Sequence, residues 1–112
     1  MKTWKVVVTD DVQDDLDNFV YYLLVEKLSR QAAKAVLDDY DETIEELSKV
    51  AGILKPLEDL ELSDYRKIRL RRHNYYLLYR LCGDTVIVDR MFHDLQDIDR
   101  VMKEKKKKKA LN

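Results

Sequence analysis

The apolar residues change their spacing once along this chain, and that change limits the folds open to it. Val12, Leu16, Phe19, Val20, Leu23 and Leu24 recur every three or four residues, the period of one helix face. The same spacing resumes through Ala33, Val36, Leu37, Tyr40, Ile44, Leu47 and Val50. From Lys67 the period is two: Lys67, Arg69 and Arg71 alternate with Ile68 and Leu70, which puts the two sets on opposite faces of a strand. Helices first and strands second predict an α+β fold, with the helices gathered on one face of an antiparallel sheet.

Local signals place the ends of the elements. Lys2 to Thr9 is β-branched and aromatic and predicts a first strand. Thr9-Asp10-Asp11 supplies N-cap oxygens, and the aspartates crowding the next turns suit the positive end of a helix running from about Asp11 to Leu28. Ser29 caps a second helix, which ends near Gly52 as its C′ residue. The minimal turn between the two helices makes an αα-hairpin. Residues 53–64 contain Pro56 and many acids and predict a connecting loop. Strands follow at Lys67–Arg71, Tyr75–Leu81 and Thr85–Phe92, the last two joined by a tight turn at Gly83-Asp84. Asp97 to about Lys106 predicts a short final helix. The expected order is β-α-α-β-β-β(-α), an antiparallel meander packed on one face by the hairpin and open on the other. The expected organisation is one domain over residues 1–102 and a lysine-rich tail over residues 103–112.

Charge is segregated along the chain although the total is only −1. Residues 10–64 hold 16 acidic and 5 basic residues, whereas residues 65–82 hold six cations and no acid. Such segregation bears on partners, and the basic segment is the part suited to a polyanion. The acidic helices argue against a DNA-reading helix pair, since phosphates repel such a surface. No glycine-rich phosphate loop, nucleophile elbow or zinc-ligand spacing occurs, so neither a cofactor nor a metal is expected. Cys82 is the single cysteine; it reads as a core or strand-end residue, and without a possible internal disulfide a cytoplasmic setting is expected. No signal peptide and no apolar run approaching the roughly 20 residues of a membrane span is visible.

Three features carry possible chemistry. Lys67, Arg69 and Arg71 on alternate strand positions stand about 7 Å apart, near the phosphate spacing of an extended strand; a charged edge strand is the structural alternative. His93 ends the last strand, where an imidazole near a field of cations suits general acid or base work. Of the tyrosines, Tyr75 and Tyr79 alternate toward the core, and Tyr76 toward the open face, where it can stack on a base.

Three stretches, VVVTDDVQDDLDNFVYYL, YRKIRLRRHNYYLLYRL and DTVIVDRMFHDLQDI, resemble, in register, the RelE/ParE superfamily of toxins from type II toxin–antitoxin systems. The resemblance implies a toxin silenced by a cognate antitoxin, an acidic and partly disordered chain that folds on the basic sheet face and against the helices. RelE-like members cleave mRNA on the ribosome without a metal. On that pattern His93 does acid/base work and Lys67, Arg69 and Arg71 stabilise transition-state charge. Arg66, Arg72, Tyr76, Arg80 and Arg90 are then the RNA contacts. ParE-like members instead poison DNA gyrase without a nuclease site, and there the Arg90-x-x-His93-x-x-x-Asp97 pattern is structural, with Arg90 and Asp97 a stabilising pair. A third possibility is an inactive member that only binds its antitoxin. The basic strand together with His93 makes mRNA cleavage the first expectation, and gyrase inhibition the alternative.

Overall fold

The computed structural model describes residues 3–94 and 102. Strand β1 (Lys5–Val8) leads into helix α1 (Asp10–Tyr21), and helix α2 (Arg30–Val50) follows. Strands β2 (Tyr65–Arg69), β3 (Tyr75–Cys82) and β4 (Thr85–His93) come last. The sheet order is β1-β4-β3-β2. The meander β2-β3-β4 is antiparallel, and β1 joins the free edge of β4 in parallel. The predicted final helix and the lysine-rich tail lie outside the described residues, apart from Met102.

Both helices begin where the capping residues predicted. Thr9 Oγ1 accepts the Val12 amide at 3.4 Å, and Ser29 Oγ accepts the Ala32 amide at 3.1 Å. The first helix departs from its predicted course at its end. Its α-helical part stops at Tyr21, and Tyr22–Glu26 form a π-helical turn with no buried residue. Leu24, expected in the core, is exposed there, and Leu28 closes the hairpin at φ 49° while 83% exposed. Leu37 of α2 likewise faces outward, whereas Asp39 and Thr43 take buried places on that helix.

Gly52 does not act as a left-handed C′ residue. Gly83, at the β3–β4 turn, is the glycine with positive φ. Gly52 is needed for space, since a Cβ there would stand 3.0 Å from Trp4 Cζ2. The carbonyls at the end of α2 are satisfied from the sheet instead, by Arg66 and by the Tyr79 hydroxyl at 2.8 Å from the Ala51 oxygen.

The sheet face toward the helices carries the main core. Ile68, Leu70, Leu77, Tyr79, Val86, Val88 and Met91 meet Val12, Leu16, Val36, Tyr40 and Leu47 there. On β4 the phase runs 86, 88, then 91, because a bulge leaves Leu78 opposite Arg90 and Tyr79 opposite Val88. A bulge inserts one residue and shifts every later side chain to the other face. The opposite face is not fully open, as the alternation had suggested. Leu78 and Phe92 point outward from β3 and β4, and Leu62 and Met102 bury them in a second, smaller core flanked by Leu57 and Tyr65.

Candidate functional site

The row of three cations expected on β2 is a row of two. The strand ends at Arg69, and the chain then turns so that the amides of Arg71 and Arg72 donate to the Asp39 carboxylate at 3.0 and 2.9 Å. Arg71 is exposed beside Glu42, Glu45, Glu46 and Lys49 of α2, off the strand. Lys67 and Arg69 remain exposed on the outer face, where Lys67 Nζ lies 5.1 Å from the centre of the Tyr76 ring. Arg69 pairs with Tyr76 across the ladder, and its guanidinium donates to Asn74 Oδ1.

The other cations of the basic segment are engaged in holding the fold. Arg66 Nη1 donates to the carbonyls of Ala51, Gly52 and Leu54. Arg72 pairs with Glu42 at 2.9 Å, which raises its pKa further. Arg80 Nε lies 3.2 Å from Asp89 Oδ2, which also accepts the Tyr65 hydroxyl. Burial and then the Asp89 charge raise the Tyr65 phenol above its ordinary value. Arg90 donates from Nε and Nη2 to both oxygens of Asp15 on α1, at 2.7 and 3.0 Å, and the Met91 amide donates to the same carboxylate. This bidentate geometry is the strong form of an arginine–carboxylate bond. It joins α1 to β4 and raises the Arg90 pKa. The partner expected for Arg90, Asp97, lies outside the described residues.

His93 stands apart from Lys67 and Arg69. It is opposite Tyr75 in the ladder, and the two rings meet edge to face with centroids 5.3 Å apart. Tyr75 in turn packs on Phe19 of α1 at 4.8 Å. Leu70, Tyr75 and His93 therefore share the helix side of the sheet. Arg69, Tyr76 and Phe92, one row along, share the outer side. His93 Nδ1 lies 3.2 Å from Asp94 Oδ1. Its imidazole and the two exposed strand cations, Lys67 and Arg69, face opposite ways, so the expected nuclease residues do not converge on one cleft.

The most organised polar cluster is one that sequence reasoning passed over. Asp39 is fully buried, the one charged side chain so placed among the described residues. One oxygen accepts the Arg71 amide, and the other accepts the Arg72 amide and meets His73 Nδ1 at 2.7 Å. Burial pushes the Asp39 carboxyl up, but His73 and the two amides outweigh it and hold the group below its ordinary value. The cluster ties the β2–β3 turn to α2. A signal was present: Asp39 falls three residues after Val36 and four before Thr43, on the buried stripe of α2. A carboxylate on such a stripe requires partners.

Among the described residues no group of three or more His, Cys, Asp or Glu side chains is placed to hold a metal ion. Cys82 is exposed at the end of β3, as a strand-end residue, and no described helix is long and apolar enough to cross a membrane.

Comparison with solved structures bears out the fold. The chain is similar to a protein of the chromosomal ParDE toxin–antitoxin system of P. aeruginosa, at 19% identity and a TM-score of 0.67, over 83% of this chain and 98% of the other. It is also similar to a chain of the RelBE2 toxin–antitoxin complex of Mycobacterium tuberculosis, at 28% identity and a TM-score of 0.53, over 81% and 98%. A chain of the E. coli DinJ-YafQ complex follows at 12% identity and a TM-score of 0.52, over 81% and 92%. No curated protein sequence matches. The family profile described as the ParE toxin of the type II toxin–antitoxin system, parDE, matches residues 6–98. With nearly the whole described chain inside that match, and β1 to β4 and both helices in the expected order, the protein belongs to the ParE toxin family within the RelE/ParE superfamily.

Proposed function

We propose that this ParE-family toxin acts by binding, with DNA gyrase as its target, and that it does not cleave mRNA. The observation that carries this reading is the position of His93. An acid/base group must come within hydrogen-bond reach of the proton it transfers, and the cations it works with must surround the same phosphate. His93 packs on Tyr75 on the helix side, whereas Lys67 and Arg69 face outward on the other side of the sheet. Arg66, Arg72, Arg80 and Arg90 hold internal partners, as scaffold residues do. On the alternative, ribosomal reading the nucleic acid would meet Lys67, Arg69 and Tyr76 alone, without the imidazole. The similar structures come from toxin–antitoxin systems, which supports a cognate antitoxin as this chain's partner.

The test is to induce the protein in a bacterium and follow labelled thymidine and labelled methionine side by side. Thymidine incorporation falls first on the binding reading, and His93→Ala remains toxic in proportion to its folded amount. Methionine incorporation falling first, with a harmless His93→Ala that still folds, would restore the nuclease reading.

A further inference from the structure

The tip of the helical hairpin has features that the fold does not require. Tyr22–Glu26 make a π-helical turn with no buried residue, a rare form that recurs at functional sites. Leu28 closes the hairpin at φ 49°, where glycine is the residue free of strain, and it is 83% exposed. Tyr21, Tyr22, Leu24 and Val25 stand exposed beside it. Together these five side chains leave an apolar patch on the order of 500 Å². A patch of that size on one copy marks an interaction surface.

The charges on either side of the patch have opposite signs. Asp14 and Asp17 lead into Tyr21, Val25 and Leu28 at three- and four-residue spacing, and all five are exposed, so they form one stripe along α1 and its extension. Beyond the patch, Lys27 reaches over the Tyr22 ring at 5.7 Å, and Arg30 opens α2 exposed. Glu26 offsets one of these cations and leaves the tip positive, since Lys34 is taken by Asp38. Lys27 stands five residues after Tyr22 and Asp17 five before it, while Arg30 stands eight after and Asp14 eight before. A twofold axis beside Tyr22 therefore lays the apolar patch on its own copy and brings each positive tip against the acidic part of the partner's α1. Self-complementarity of this kind is what an isologous dimer requires. Nucleic acid is repelled by Asp14 and Asp17, and so is the acidic chain expected of an antitoxin.

We propose that the free protein forms a twofold dimer through this hairpin tip, with Tyr21, Tyr22, Leu24, Val25 and Leu28 around the axis and Lys27 of each copy beside Asp17 of the partner subunit. Covering the patch on both copies removes about 1,000 Å² from water in all, the lower limit for a specific interface. The dimer is accordingly weak, with a Kd on the order of 50 μM. It stands whichever target the toxin has.

Sedimentation equilibrium of the full chain, from about 5 to about 500 μM, reads the dimer directly. Lys27→Asp and Asp17→Lys each weaken it about tenfold, because the axis makes one change act at two contacts. The two changes together bring it back to within about threefold of the parent. Tyr21→Ser weakens it about tenfold, and Lys49→Gln, at the far end of α2, leaves it unchanged. The restored double variant separates the pairing from any effect of one change on folding. A chain that is monomeric at about 500 μM overturns the proposal, and so does a dimer that the double variant fails to restore. It is also overturned if the chain is monomeric and Tyr21→Ser instead weakens binding of the cognate antitoxin about tenfold, which would give the patch to that partner.

Discussion

Replacing Asp39 by alanine is expected to cost more stability than any exposed change in the chain. The side chain is fully buried, and its two oxygens serve the Arg71 amide, the Arg72 amide and His73 Nδ1 at 2.7–3.0 Å. Truncation leaves three donors without their acceptor. A donor stranded in this way costs about 1–3 kcal/mol. Arg71 and Arg72 are themselves exposed, so water recovers part of that loss, and the low end of the range applies. The total is about 3 kcal/mol, which for a chain of this size lowers Tm by roughly 10–15 °C. Urea unfolding followed by circular dichroism measures it directly. Asp38→Asn is the control, since that carboxylate makes an exposed pair with Lys34, and it should unfold with the parent. The sign of the pH dependence follows from the depressed Asp39 pKa. The group is ionised in the folded protein at a pH where the unfolded chain already binds a proton. Its contribution is complete above the unfolded value, near 4, and is lost as pH falls through the lower folded value. The gap between parent and Asp39→Ala should therefore close below about pH 4. A loss under about 1 kcal/mol at neutral pH, or a gap that widens in acid, would refute the argument that this carboxylate holds the turn.

Other consequences can be checked in the same unfolding assay. Asp15→Asn and Arg90→Gln should each destabilise by about 2 kcal/mol, and the double variant by little more than either alone, because they break one bidentate contact. Tyr79→Phe should cost about 1 kcal/mol for the lost bond to the Ala51 carbonyl. Burial pushes the Tyr79 phenol up to about 12, so its absorbance should resist alkaline titration, and its contribution should be lost as pH rises from about 10 toward 12. Leu28→Gly should stabilise the chain by about 1 kcal/mol, because a leucine at φ 49° is strained and glycine is not. An unchanged or lowered stability would mean that Leu28 packs in a way its exposure does not reveal.

Much of the architecture could be read from spacing and caps. Thr9 and Ser29 start both helices, Ile68 and Leu70 meet the helices, and Tyr75 and Tyr79 enter the main core. What could not be read was set by contacts between distant residues. Alternation through Arg71 looks unbroken locally, but Asp39, more than thirty residues earlier, captures the amides that a longer strand would have used. The bulge opposite Leu78/Tyr79 leaves Asp89 of β4 without a ladder partner, which alternation along one strand does not reveal, and it decides that Met91 and His93 face the helices. The open sheet face was expected from the alternating cations Lys67, Arg69 and Arg71. Leu78 and Phe92 stand on that same face, and Leu62 and Met102 supply their cover. The candidate site suffered most, since it required residues from β2 and β4 to converge. Periodicity gives the face of each strand separately, and one inserted residue exchanges it.

The central claim is that this ParE-family chain inhibits by binding and that His93 belongs to the scaffold. It is tested most directly with purified DNA gyrase, relaxed plasmid and the purified toxin, comparing the parent with His93→Ala at equal folded concentration. The account predicts that both proteins block supercoiling with similar potency. It would be contradicted if the parent leaves gyrase untouched yet cleaves mRNA on ribosomes, and if His93→Ala, still folded, loses that cleavage.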